Sequence, residues 1–182
     1  MLRRFVLSLL VLSLPAFPAG ELSNRRAPGF ALPDHTVIKV HDLADYKGRV
    51  VLLEIMQTSC PNCQLLSQTL ERVKGKYGDR VAVLSIVNPP DNTASVSRYI
   101  LTQKITSPVL FDCGQVAASY LKVTPSKPSI HVPHLFLIDQ YGNIRNDWEH
   151  SPEAKSIFEG DGLRAEIDRL LGTPAKAVKS TR

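Results

Sequence analysis

Only three of the 182 residues are cysteine, too few for a small fold stapled together by disulfides. No apolar run reaches the roughly 20 residues that a membrane-spanning helix needs. The nearest, residues 5–14, is broken at Pro15. No basic stripe interleaved with aromatics is present, so nucleic acid is not an expected partner. No internal repeat or low-complexity tract appears. A second C-x-x-C and an H-x-x-x-H are also lacking, which leaves no set of four ligands for a structural zinc ion. With 43% hydrophobic and 21% charged residues, the chain has the balance of one globular domain with a real core.

The first 20 residues have the order of a secretory signal. Arg3 and Arg4 form a basic head, residues 5–14 an apolar middle, and Ala16, Ala19 and Gly20 a small-residue exit. Phe17 is an imperfection in that exit, and an uncleaved anchor is the alternative. The net charge of +5 drops by two when Arg3 and Arg4 leave with this segment. The domain is expected over 21–172, followed by a basic, solvated tail over 173–182.

Within the domain, residues 37–40 read as a short edge strand and 42–48 as a turn of helix and a loop. Residues 50–56 form an apolar run interrupted only by Glu54, which suits a strand covered on both faces. Pro61 suits the first turn of a helix, Cys63, Leu66, Leu70 and Val73 line one face of it, and Gly75 and Gly78 are expected to end it. A second buried strand is expected over 81–87, a helix over 94–104 capped by Asn92 or Thr93, and a short strand over 109–111. Asp112 and Gln115 resemble a capping pair opening a helix to Leu121. A Pro-rich loop over 124–132 leads to a strand over 134–138 and a hairpin into 144–148. Asp161 reads as the cap of a last helix that Gly172 stops. Strands alternating with helices and then closing in an antiparallel pair indicate an α/β fold with a mixed central sheet flanked by helices.

The chemistry concentrates at Cys60 and Cys63. Two cysteines three apart at a helix start can close a small disulfide ring. The first sulfur lies at the positive end of the helix, where a thiolate is stabilised, and the second, one turn inward, can resolve a mixed disulfide. Alternatives are a permanent disulfide or half of a metal site. Glu54 sits six residues before Cys60, where burial would raise its pKa and fit it to take a proton from Cys63. Pro133 sits at the start of the apolar run 135–138. Cys113 reads as a small buried hydrophobe, with a third redox thiol as the sharper alternative. His131 and His134 flank the proline and read as loop polar groups able to tune the cysteines.

Taken in order, these segments resemble the thioredoxin superfamily, and in particular the exported TlpA/ResA-like thiol:disulfide oxidoreductases, kin of the AhpC/TSA group. The resemblance rests on Ala27-Pro28-Gly29-Phe30-Ala31-Leu32-Pro33, on the approach from Asp42 to Leu53, on Thr58-Ser59-Cys60-Pro61-Asn62-Cys63, and on the stretch from Val132 to Ile144. It implies a thioredoxin-like fold with an N-terminal extension, Cys60 as nucleophile and Cys63 as resolving thiol. It also implies Glu54 as the buried acid, and a cis Pro133 that exposes the Val132 backbone to an extended substrate. No cofactor beyond the dithiol is called for. Implied partners are exported proteins bearing thiols or disulfides, such as apocytochromes, and an upstream membrane thiol reductant, with the chain acting as a monomer outside the cytoplasm.

Three departures stand out. Ser59 replaces the usual Trp before the first cysteine, Leu66 stands where some relatives carry a Glu, and residues 124–129 form an insertion. A peroxidase is a competing reading, but Thr58 lies one position closer to Cys60 than the T-x-x-C arrangement. A copper-carrying assembly factor using Cys60, Cys63 and a histidine is another, although copper carriers of related fold space their cysteines more widely.

Overall fold

A computed structural model describes residues 20–126 and 128–172. The signal reading for 1–20, in all but its last residue, and the tail reading for 173–182 fall outside the described residues.

The apolar runs form the sheet. Strand β1 (Arg25–Arg26) is short. Strands β2 (Ala31–Pro33) and β3 (Val40–Asp42) pair as a separate antiparallel ribbon. Strands β4 (Val50–Met56), β5 (Val81–Val87), β6 (Val109–Phe111), β7 (His134–Ile138) and β8 (Asn143–Glu149) build the main sheet, in the order β1-β8-β7-β4-β5-β6. β4, β5 and β6 run parallel, while β7 is antiparallel to β4 and β8 antiparallel to β7. This is the mixed sheet of a thioredoxin-like fold.

Both faces of the sheet are covered, which explains the nearly unbroken apolar sequence of β4 and β5. Val50 and Leu52 pack under helix α1 (Pro61–Tyr77), through Leu66, Leu70 and Val73, and under α4 (Lys155–Glu159) and α5 (Asp161–Leu170), through Ile157, Leu163 and Ile167. The alternate residues Val51, Leu53 and Ile55 face α3 (Gln115–Leu121) and the lead-in residues Ala27 and Phe30. A third cluster joins Met56 and Cys63 to Val96 and Tyr99 of α2 (Thr93–Gln103). Cys63 is thus a core residue at the edge of the site.

Several local expectations are corrected. The residues read as an edge strand, 37–40, mostly form a turn instead, and the strand begins at Val40. The Asp34 side chain accepts from the Thr36 backbone and hydroxyl, and Val37 adopts a left-handed φ of 54°. Gly75 does not end α1. Gly78 does, at φ 56° with its N–H bonded to the Lys74 carbonyl. Asp112 and Gln115 do not form a capping pair, because Gly114 holds the cap position and the Asp112 carboxylate reaches past it to the Ala117 N–H at 3.0 Å. That inward turn of Asp112 leaves Cys113 exposed rather than buried. Asp161 is the first residue of α5 rather than its cap, the cap being Gly160. Asn92 caps α2, in a reciprocal arrangement with Ser95.

Candidate active site

Cys60 is itself the cap of α1. Its sulfur accepts the Cys63 backbone N–H at 3.2 Å, the role that a Ser or Asp oxygen usually fills. Its own N–H is tied to the Gln57 carbonyl at 3.1 Å. Pro61 occupies the first turn, where no partner is needed for the missing N–H. The first turn carries no acidic residue, so the helix's positive end faces the Cys60 sulfur unopposed. Both cysteines are free thiols; Cys60 is half-buried and Cys63 is fully enclosed.

The wall opposite α1 is the loop before β7. The Val132–Pro133 peptide bond is cis, as is Pro89–Pro90. The Val132 carbonyl lies 3.9 Å from the Cys60 sulfur. Cys60, Cys63, Val132 and Pro133 therefore meet at one end of the sheet, although 72 residues separate Cys60 from Val132.

Glu54 lies beneath them, fully buried between β5 and α1. One carboxylate oxygen accepts from the Ser67 hydroxyl at 2.8 Å and the Ser85 hydroxyl at 3.3 Å, and the other has no hydrogen-bond partner among the described residues. Burial pushes the Glu54 carboxyl up to about 8, against the opposing pull of those two hydroxyls. Burial likewise raises the Cys63 thiol, helped by its hydrogen bond with Cys60 and by the Glu54 charge. Cys63 thus holds its proton at neutral pH, beside an acid whose own titration lies close to neutrality.

Further positioning residues escaped the sequence reading. Asp91 accepts the Thr58 backbone N–H at 2.9 Å and also the Thr58 hydroxyl, while Gln64 donates to the Thr58 carbonyl at 2.8 Å. Ser85 was detectable in principle, since it sits directly opposite Glu54 in the β4–β5 register. Ser67 lies one turn beyond Cys63 on the same helix face. Asp91 gave no signal, its partner being 33 residues away.

The histidines part company. His131 is exposed, whereas His134 is buried, with Nε2 at 3.2 Å from Asp147 and its ring stacked on Phe136. Burial alone would raise the Asp147 carboxyl. The hydrogen bonds from His134 and Ser23 outweigh it and hold the group below the ordinary carboxylate value. Among the described residues no three His, Cys, Asp or Glu side chains converge as a metal-holding group.

A mixed sheet with a dithiol capping the helix that follows its central strand defines a thioredoxin-like protein, and its relatives place it among the TlpA/ResA-like thiol:disulfide oxidoreductases. The AhpC/TSA family model matches residues 24–147, and the chain belongs to that family. It is 26% identical over 129 residues to the thioredoxin-like protein YneN of Bacillus subtilis, covering 70% of this chain and 71% of that one. It is 26% identical over 147 residues to the thiol-disulfide oxidoreductase ResA of Geobacillus kaustophilus, covering 80% and 74%. Among solved structures, the exposed lipoprotein thioredoxin of Streptococcus pneumoniae superposes with a TM-score of 0.63 at 21% identity, over 79% of this chain and all of that one.

Proposed function

We propose that this protein reduces or exchanges disulfides in other exported proteins, with Cys60 as nucleophile, Cys63 as resolving thiol and Glu54 as proton acceptor. The observation that carries this reading is the asymmetry of the pair: Cys60 is accessible at the helix end, and Cys63 is enclosed beside a buried acid.

In the proposed cycle the Cys60 thiolate attacks one sulfur of a substrate disulfide. A Cys60–substrate disulfide forms and one substrate thiolate leaves. In the fraction of molecules whose Glu54 is ionised, Cys63 then passes its proton to that carboxylate and attacks the Cys60 sulfur, which releases the second substrate thiolate and closes the Cys60–Cys63 bridge. The substrate gains two electrons and the dithiol loses two. An upstream membrane thiol reductant restores it, and no cofactor beyond the cysteines takes part. The Val132 backbone is the strip against which an extended substrate pairs, with Pro133 holding its edge. The signal-like start supports a site of action outside the cytoplasm, where we propose that the chain acts as a monomer on substrates such as apocytochromes. Among the described residues no helix is long and apolar enough to cross a membrane.

The peroxidase reading is weaker, because the Thr58 hydroxyl is bonded to Asp91 instead of serving the Cys60 sulfur. The test is twofold. The reduced protein should reduce insulin disulfides and not consume peroxide. Cys63→Ser should accumulate mixed disulfides on Cys60 with exported proteins, while Cys60→Ser should not. Equal trapping by both variants would reverse the roles assigned here.

A further inference from the structure

Beside the cis-proline loop lies a cavity of about 820 Å³ between that loop, the residues after β8 and the N-terminal strap. Its wall includes Glu21, His134, Asp147, Glu149 and Glu153, and no Lys or Arg among the described residues. Asp147 is fully engaged, accepting from Leu22, Ser23 and His134. Glu149 lies against His134 and Glu153 accepts from Ser151, but no Lys or Arg among the described residues pairs with Glu21, Glu149 or Glu153.

A second observation is a buried polar side chain at the same wall. His134 is 2% exposed, and its Nε2 side faces the Asp147 carboxylate. Nδ1 is buried and has no hydrogen-bond partner. It faces Glu149, 3.7 Å away and too far for a hydrogen bond. A buried ring nitrogen without a hydrogen bond, beside carboxylates that no Lys or Arg pairs with, is satisfied by a ligand that brings polar groups and positive charge.

We infer that this cavity receives a lysine or arginine side chain of the protein substrate, close in sequence to the cysteine that Cys60 attacks. The inference rests on the disulfide-exchange reading above and names the substrate's chemistry. Continuity supports a substrate side chain as the occupant: His131 and His134 line the cavity and bracket Val132 and Pro133, whose carbonyl side meets the Cys60 sulfur. An extended substrate advances about 3.3 Å per residue with alternate side chains on one face, so a side chain two positions from the cysteine falls on the same side of the strip.

The experiment uses cyclic disulfide peptides that differ only two positions from the first cysteine, carrying Arg, Ala or Glu. Their reduction by stoichiometric reduced protein is followed chromatographically at low salt. The Arg peptide should react about three- to tenfold faster than the Ala peptide, with the Glu peptide slowest, and the spread should shrink toward parity at high salt. The Arg-to-Ala ratio should fall to about one in a Glu149→Gln/Glu153→Gln variant, and Glu149→Lys/Glu153→Lys should reverse the order. Equal rates for the three peptides with the wild type would overturn the inference, as would a preference that the Gln variant retains. Failure to reduce any peptide would instead overturn the disulfide-exchange reading, so the two are told apart.

Discussion

Asp91 grips Thr58 at two points, taking its backbone N–H at 2.9 Å and its hydroxyl on the other oxygen, while also accepting from Ser95 at 2.8 Å. The loop after β5 is thereby bolted to the turn that delivers Cys60 to the helix end. The geometry of the dithiol is set partly from outside its own segment.

Asp91→Ala should therefore act at a distance. It leaves the Thr58 N–H without its partner, at an expected loss of about 1–3 kcal/mol in unfolding free energy. A merely structural role would stop there. If Asp91 positions the turn, iodoacetamide alkylation of Cys60 in the folded protein should also slow, by about two- to fivefold, with Asp91→Asn falling between. An unchanged alkylation rate with lowered stability would remove Asp91 from the site.

The dithiol and Glu54 were legible in the sequence because each breaks a local pattern: a cysteine pair enclosing a proline, and a carboxylate inside an apolar run. Asp91 broke none, since its neighbours Asn92 and Thr93 explain an acidic, polar stretch as a helix start. Residues 37–40 misled for the opposite reason. Val37 and Ile38 have strand propensity, yet Asp34 closes a turn over them and leaves them 64% and 88% exposed. Strand β1 is two arginines, Arg25 and Arg26, paired with Ile144 and Asn143, a match that no local periodicity reveals. Helix α4, only five residues long, is likewise held by packing on the core rather than by its own propensity.

Thiol accessibility separates the three cysteines. In the reduced native protein Cys60 and Cys113 should be alkylated readily, and Cys63, with no exposed surface, about 100-fold more slowly, only as the fold opens locally. Peptide mapping after timed alkylation gives the three rates. Labelling of Cys63 as fast as Cys60 would contradict the division between attacking and resolving thiol.

Gly160 joins α4 to α5 at a φ of 102°, and a Cβ there would lie 3.0 Å from the Thr69 methyl and 3.1 Å from the Arg164 guanidinium. Gly160→Ala combines a disfavoured backbone with a tight contact against α1. The expected loss is about 1–3 kcal/mol, read from the urea midpoint at unchanged m-value. Gly75→Ala makes the contrast. Its Cβ would meet nothing within 4 Å, and as an interior helical position it should gain about 0.5–1 kcal/mol.

Glu54 links stability to pH in a direction opposite to that of a salt-bridged carboxylate. Its carboxyl is raised by burial to about 8 from an ordinary 4.5, so between those values the folded chain holds a proton that the unfolded chain has released. Stability must then fall as pH rises from about 4.5 to about 8. It is free of this penalty below that window and carries all of it above. The shift corresponds to a penalty on the order of 5 kcal/mol for the fully buried group. Glu54→Gln keeps the shape and the bond from Ser67 but cannot ionise. The variant's stability should match the wild type near pH 4 and exceed it by several kcal/mol near pH 9, in urea unfolding of both reduced proteins. The same variant should slow the attack of Cys63 on the mixed disulfide by about 100-fold, the usual weight of a positioned base. Parallel stability–pH curves for the two proteins would show that Glu54 does not carry a displaced proton. The expected pairing of higher stability with lower activity is what a functional group held at a cost to the fold should give.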